Sequence, residues 1–441
     1  HLSESDLRAV SVFFGVALIL LLWLMADGLG STGTVCAAIF TAISPAMVFY
    51  SRYFIHEMLL VCFTLLVILA GWRYAQRPSA SWAIVAGLGL GLMYATKETF
   101  VLSVAALLGA LAFTLAWRVR VTRTPFRWHW GIPVNHLLLA AAAAALISLL
   151  LFTSFFTNAR GPFDSVRTYF PWLKRAGGDS PHIHPWSFYF ERLVFFKTGK
   201  GPVWSEALLL VLALIGAVTG WRGLAPGAVS PHLTRFLTVY TVLLAAAYSA
   251  IAYKTPWCLL TFLQPLILLA GIGAAFLIGS WKSWGWRLIG SSAVLVGAAH
   301  LTWEAWRASF PFAADRRNPY VYAQTVPDLL RLVEQVHELA KFHPDGTHMV
   351  IKVMAQDSDY WPLPWSLRAF DRIGWWSRVP ADPYAPVVIA GAKLGAALDD
   401  RSEKKWLMVG LFELRPQTFL ELYVQDGLWE KYILSRPRPE E

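Results

Sequence analysis

The residues of this chain whose types and spacing can do chemistry sit in short clusters at the ends of long apolar runs. Tyr50-Ser51-Arg52-Tyr53-Phe54-Ile55-His56-Glu57 joins one carboxylate to two cationic side chains. A carboxylate so placed can act as a general base or orient a hydroxyl. Arg52 and His56 can grip a phosphate through charge-assisted hydrogen bonds. Interfacial anchoring is the competing reading, because Arg and Tyr commonly flank membrane helices, and composition leaves both standing. Ala95-Thr96-Lys97-Glu98-Thr99 offers either a local Lys97–Glu98 ion pair or a Lys97 ammonium for an anionic head group. The preceding Gly87, Gly89 and Gly91 follow no strand and so make no phosphate loop. The Gly87–Gly91 spacing suits close helix packing instead.

Tyr253-Lys254-Thr255-Pro256-Trp257 sets an ammonium beside a proline-started helix, where open backbone donors suit a phosphate or sugar-phosphate. Snorkelling of Lys254 at the membrane boundary is the plain alternative. Pro181-His182-Ile183-His184-Pro185-Trp186, with Tyr189 after it, supplies only two metal-type ligands, too few for a metal site. His184, Trp186 and Tyr189 suit contact with a sugar or a lipid head, and an interfacial aromatic belt is the other reading. Asp357-Ser358-Asp359 matches the metal clamp of nucleotide-sugar enzymes, but that donor is cytoplasmic and this segment is expected outside. It reads as a loop after a strand, with Trp361 and Trp365 available to a glycan. Cys36, Cys62 and Cys258 lie in or beside apolar segments and show neither a zinc nor a disulfide pattern. No metal site emerges, and a divalent cation on a phosphate is the one cofactor left open.

Membrane helices must position these clusters. Of 441 residues, 56% are hydrophobic and only 15% charged, against about 25% charged in soluble proteins. The spacing predicts a polytopic α-helical membrane protein of about ten transmembrane helices, centred near Leu18, Ile39, Leu65, Gly89, Leu107, Leu146, Leu212, Leu244, Leu268 and Val294. The loops sort by charge. Arg73 with Arg77, then Arg118, Arg120, Arg123 and Arg127, then Lys282 with Arg287 occupy alternate connections. Cytoplasmic loops are enriched in Lys and Arg, so these face the cytoplasm and the mixed clusters face out. The net charge of +10 is thereby explained by topology rather than by a nucleic-acid surface.

Residues 1–308 read as the membrane domain, with an outer loop over 158–203, and residues 309–441 as an extracytoplasmic α/β domain. In the latter, Leu329, Leu330, Val333, Val336 and Leu339 form a helical stripe. Met349–Met354, Pro386–Ala390 and Trp406–Leu414 look like strands of a mainly parallel sheet, and Phe419–Leu434 like a closing helix.

SPAMVFYSRYFIHEM, GLGLGLMYATKET, SFFTNARGP, HPWSFYF, YKTPWC and WPLPWSLR, in this order, resemble the flippase-activity-associated membrane protein family. That family is related to protein O-mannosyltransferases and aminoarabinose transferases, in the polytopic C-type (GT-C) glycosyltransferase superfamily. The resemblance implies a hexosyl or pentosyl donor on a polyprenyl phosphate, dolichyl or undecaprenyl, used at the outer face of the cell membrane. The acceptor would be a lipid, a glycan or a protein. It implies Glu57 as an acidic catalytic residue and Lys97 and Lys254 as donor-phosphate ligands, to which the reading of the clusters adds Arg52 and His56 as donor-phosphate ligands and His184, Trp186 and Tyr189 as substrate contacts. His1-Leu2-Ser3-Glu4-Ser5-Asp6 resembles the end of the first outer loop, so the principal catalytic acid is expected upstream of His1, with the N-terminus truncated. The alternative is a non-catalytic flippase-associated or transport component of lipid-linked glycan assembly. Transporters place their sites near the bilayer midplane, whereas the ionisable groups here gather at helix ends.

Overall fold

The computed structural model describes residues 2–122, 132–178, 182–279 and 283–436. Of the sequence features above, His1, Arg123, Arg127, Pro181 and Lys282 lie outside the described residues. The chain separates into two compact units, residues 1–313 with 317–320 and residues 314–316 with 321–441.

The first unit is helical. Its main helices are α1 (Glu4–Leu22), α2 (Ser31–Ile43), α3 (Pro45–Ser51), α4 (Glu57–Gln76), α5 (Ala80–Thr96), α6 (Phe100–Thr122) and α7 (Val134–Phe152). After three short helices, α8 (Gly161–Arg167), α9 (Tyr169–Ala176) and α10 (Phe188–Val194), come α11 (Ala207–Trp221), α12 (Pro231–Ala250), α13 (Leu260–Gly279) and α14 (Trp284–Ser309). Local chemistry starts several of them. Ser3 and Asp6 form a reciprocal capping box on α1, and Ser79 and Ser230 cap α5 and α12.

Helices fall on each of the ten expected centres, yet only six among the described residues are long and apolar enough to cross a bilayer alone, or seven if a bent pair counts as one. That pair is α2 and α3, bent by 59°. Ser44, which precedes Pro45, takes φ −59° and ψ 123°, because a residue before proline is pushed out of the helical region. Two others fall short in length. The 17 residues of α5 span about 25 Å at 1.5 Å per residue, less than a hydrocarbon core of roughly 30 Å.

The short α5 is held by close contact. A Cβ added to Gly87 would stand 2.1 Å from the Ala140 carbonyl oxygen, and one on Gly91 would stand 2.6 Å from that of Ala144. Glycine therefore lets α5 and α7 touch backbone to backbone, which is how helices associate where lipid offers no hydrophobic drive. Gly216 and Gly273 do the same for α11 and α13.

The second unit packs α15 (Asp328–Ala340) and α16 (Asp426–Leu434) with a five-stranded sheet: β1 (Ile351–Met354), β2 (Ile373–Trp376), β3 (Val387–Gly391), β4 (Trp406–Arg415) and β5 (Thr418–Gln425). The order is β2-β1-β3-β5-β4, parallel across β2-β1-β3 and antiparallel from β3 onward. The sheet is thus mixed rather than mainly parallel, and the first half of the expected 419–434 helix is a strand. A hairpin causes both differences. Pro416 and Gln417, the latter at φ +68°, connect β4 to β5, and Leu420, Leu422 and Val424 then enter the core at a period of two.

Candidate active site

Antiparallel pairing of α4 and α5 returns the end of one helix to the start of the other. Glu57 is the first residue of α4, and Lys97 follows the last residue of α5. The Lys97 ammonium donates to both carboxylate oxygens of Glu57, at 2.8 and 2.7 Å. Glu57 is 1% exposed and the Lys97 side chain 12%. The local Lys97–Glu98 pair considered from sequence does not form. Lys97 takes extended backbone, φ −162° and ψ 144°, and neighbouring side chains on an extended chain point opposite ways. Glu98 instead accepts from Thr168 Oγ1 at 3.1 Å, and its carbonyl accepts from the Tyr169 hydroxyl at 3.3 Å. The two halves of this dipeptide thus tie the end of α5 to two different places.

Three further groups surround the ion pair. Cys258 Sγ lies 3.5 Å from the Lys97 ammonium and 3.2 Å from Thr255 Oγ1. The buried Tyr248 ring is within electrostatic reach of Glu57, Lys97 and Cys258. His56, on the α3–α4 connection, is exposed and within electrostatic reach of Lys97 and Glu57, and Arg52 is exposed on the same connection. Arg52 donates to the Ser309 carbonyl at 2.8 Å and its guanidinium lies 4.4 Å from the Phe310 ring centre. Desolvation, with the Lys97 charge second, holds His56 below the ordinary imidazole range. At neutral pH it is therefore a neutral ring. The arrangement joins a shielded carboxylate, an ammonium that neutralises it, and an exposed neutral imidazole. Such a set can accept a proton on one side and hold an anion on the other.

The Lys254 and His184 clusters, 70 residues apart in sequence, meet as one short β-bridge. Ile183 pairs antiparallel with Tyr253, the His184 amide donates to Ala252, and the Lys254 amide donates to His182. Lys254 itself is 1% exposed, and its ammonium donates to the carbonyls of His184, at 3.2 Å, and Ile251. It fastens the outer loop to the α12–α13 connection. His184 stacks on Phe188 with ring centres 4.2 Å apart, and the Arg192 guanidinium lies 3.4 Å from the same Phe188 ring. Trp186 is 70% exposed. Tyr189 is packed in the core against Phe262 and Tyr248. Of the three expected substrate contacts, Trp186 is the open one.

Sequence reasoning missed Glu206, the fully buried carboxylate just before α11. It accepts from Ser44 Oγ at 2.5 Å, the Ala46 amide at 3.1 Å and the Tyr320 hydroxyl at 2.6 Å. Tyr50 donates to the Tyr320 carbonyl at 2.8 Å. This network clamps the α2–α3 bend, and through α3 it sets where Arg52 and His56 emerge. The signal available in sequence was a lone Glu between a loop and a strongly apolar run. Among the described residues no group of three His, Cys, Asp or Glu side chains is placed to hold a metal ion.

Comparison with known proteins bears on this geometry. Residues 1–152, which hold Glu57, Lys97 and the α4–α5 pair, match the family model described as dolichyl-phosphate-mannose-protein mannosyltransferase. No curated protein matches. Two solved structures of ArnT from Cupriavidus metallidurans resemble the chain at 14% identity. The one bound to undecaprenyl phosphate gives a TM-score of 0.56, covering 97% of this chain and 85% of that one. The apo state gives 0.53, with 96% and 84% covered. Residues 1–152 are therefore similar to the dolichyl-phosphate-mannose-protein mannosyltransferases, and the chain shares the fold of ArnT.

Proposed function

We propose that the chain is a membrane glycosyltransferase that moves a sugar from a polyprenyl-phosphate donor to an extracytoplasmic acceptor. The observation that carries this reading is the shielded Glu57–Lys97 pair with His56 within electrostatic reach of it. The donor's phosphate competes with Glu57 for the Lys97 ammonium. Once the phosphate takes that ammonium, the Glu57 carboxylate is released to accept the proton of an acceptor hydroxyl. The deprotonated oxygen forms its bond to the anomeric carbon as the bond from that carbon to phosphate oxygen breaks, and the electron pair leaves on polyprenyl phosphate. Lys97 and Arg52 stabilise the departing anion. His56, neutral at rest, donates a hydrogen bond to it. Lys254 keeps the outer loop in place, and Trp186 offers a face to the sugar or the acceptor.

The basic residues at the ends of α4 and α6 support a reading in which this cluster and the second unit lie on the outer side of the cell membrane. The ligands of this reading are a polyprenyl-phosphate sugar, membrane lipid and an acceptor of glycan, lipid or protein type. The Glu57–Lys97 pair also supports a second reading. A carboxylate held by both oxygens is a structural tie as much as a latent base, as a non-catalytic component of lipid-linked glycan assembly would have.

The test is release of polyprenyl phosphate from hexosyl and pentosyl polyprenyl-phosphate donors by the protein in liposomes, with and without EDTA. Release that Glu57→Gln abolishes supports transfer, and loss on chelation adds a divalent cation at the phosphate. Donor binding without release by folded protein would establish the second reading and sink the first.

A further inference from the structure

One end of the mixed sheet in the second unit gathers polar and aromatic side chains from three connections. β1, β2 and β3 are parallel, so their carboxyl ends lie together, and the β4–β5 turn returns to that same end, where Gly391 pairs with Leu420. Open α/β sheets bind their ligands outside the carboxyl ends of parallel strands. Asp359, in the loop after β1, accepts from the Lys393 ammonium, after β3, at 3.2 Å, and from the Arg415 guanidinium at the end of β4. Arg415 also donates to the Trp361 carbonyl at 3.3 Å. Three connections are therefore tied at one carboxylate, with Trp361 fastened to the same guanidinium. Just before them, Asp357 and Ser358 hold φ of +50° and +61°. Such backbone is costly for a residue with a Cβ and persists where its surroundings impose it.

Trp361 is 55% exposed. Its ring lies against Tyr360, centres 6.2 Å and planes 29° apart, and Tyr360 packs in turn on Trp375 at 4.8 Å and on the core. The indole is thus backed by protein and open to solvent. Trp365, the other indole expected to reach a glycan, has the Arg368 guanidinium 4.1 Å from its ring centre. A single exposed Trp means little by itself. Here it stands beside donors and acceptors that hold one another in place. Lys393 and Arg415 are offset by Asp359 and by Glu413, which accepts the Gln417 amide on the same hairpin at 3.0 Å, so a fixed anion gains little. The Lys393 side chain is 66% exposed with ammonium hydrogens to spare, and each Asp359 oxygen has a second lone pair.

We propose that this end of the sheet is a carbohydrate site. The C–H face of a neutral hexopyranose lies on Trp361, electropositive hydrogens against the electron-rich ring face, and the sugar's hydroxyl rim donates to Asp359 and accepts from Lys393. An apolar ligand would use the indole and leave the polar trio idle, and a small ion would do the reverse. A sugar ring uses both. The site belongs to the second unit alone and does not rest on transfer at Glu57: a chain inactive in transfer can bind here, and an active one can fail to.

The experiment presents the full chain, in phosphatidylcholine nanodiscs without polyprenyl donor, to an array of neutral hexose oligosaccharides. The best-retained oligosaccharide is then titrated by calorimetry. Nanodiscs avoid the competing head groups of glycoside detergents. The wild type should retain at least one oligosaccharide. W361A should bind it about 30-fold more weakly, the loss expected of an aromatic anchor, while W361F, which keeps a ring, should retain most of the affinity. K393Q should cost about tenfold, the share of one hydrogen bond to a charged group. The exposure of both side chains predicts wild-type melting temperatures for W361A and K393Q. Retention of no oligosaccharide above empty nanodiscs, or undiminished affinity in W361A, would overturn the proposal.

Discussion

Lys97 and Glu57 stand 40 residues apart in sequence, yet the ammonium of one donates to both carboxylate oxygens of the other. A buried pair of this kind is poor evidence of net stability, but removal of one partner strands the other charge, at a cost of about 3–5 kcal/mol. A lost activity in Glu57→Ala or Lys97→Ala would therefore mix chemistry with folding. The charge-swapped variant E57K/K97E separates them. It should recover most of the thermal stability that either single reversal loses, while transfer stays down by about 10²-fold or more, the usual share of a positioned acid–base group. Transfer that recovers together with stability would make the pair a tie and not a site.

Glu206 gathers three donors from separate parts of the chain, Ser44 Oγ, the Ala46 amide and the Tyr320 hydroxyl. Hydrogen bonds to a charged group contribute about 1.5–3 kcal/mol each, so Tyr320→Phe should lower stability by an amount in that range. Ser44 and Tyr320 share one acceptor, and members of one network couple by about 0.5–3 kcal/mol. A thermal-unfolding cycle of S44A, Y320F and the double variant should show that coupling. Strict additivity would mean that the two hydroxyls do not share the carboxylate.

Much of this was legible in the sequence, for identifiable reasons. Apolar length located the ten helices at the expected centres, though not the separate α3, and the Gly87–Gly91 spacing located the tight face of α5. The clusters around Glu57, Lys97 and Lys254 were found because polar groups are scarce in such a chain. Partnership was not legible. Whether Lys97 turns to Glu57 or Glu98 depends on one residue of extended backbone at the end of α5, which no periodicity encodes. The burial of Lys254 depends on a β-bridge to a segment 70 residues earlier. In the second unit, 419–434 satisfies both a period of 3.6 and a period of two, and the Pro416–Gln417 turn decided between them.

Trp186 and Tyr189, three positions apart, should respond in opposite ways. Tyr189 is 1% exposed and packs on three rings, so Tyr189→Ala should cost about 3–5 kcal/mol, as truncation of large buried aromatics does. Trp186 is 70% exposed, and Trp186→Ala should leave the melting temperature within a degree or two, since surface changes stay within about 0.5 kcal/mol. If Trp186 meets substrate, its loss raises KM in the transfer assay and leaves kcat nearly unchanged. An unaltered KM would return Trp186 to the interfacial belt.

The outer loop should weaken as the medium is acidified. Desolvation holds His184 below the ordinary imidazole range, and the charges of Arg192, His182 and Lys254 add to the effect. The unfolded chain, with an imidazole pKa of about 6.5, therefore binds a proton more readily than the folded one. Stability rises with pH wherever the unfolded state holds more protons. The contribution of His184 is thus fully present above about pH 6.5 and is lost as pH falls through its lower folded value. His56 is depressed in the same direction, also chiefly by desolvation, so the wild-type slope is shared between them. Melting curves from pH 7.5 to 5.0 should be flatter for His184→Gln than for the wild type, and flatter still for H56Q/H184Q. Because the charged ring would sit beside the Lys254 tie, limited proteolysis near His184 should accelerate over the same interval in the wild type. A His184→Gln variant with the full wild-type slope would show that its ring titrates as freely folded as unfolded.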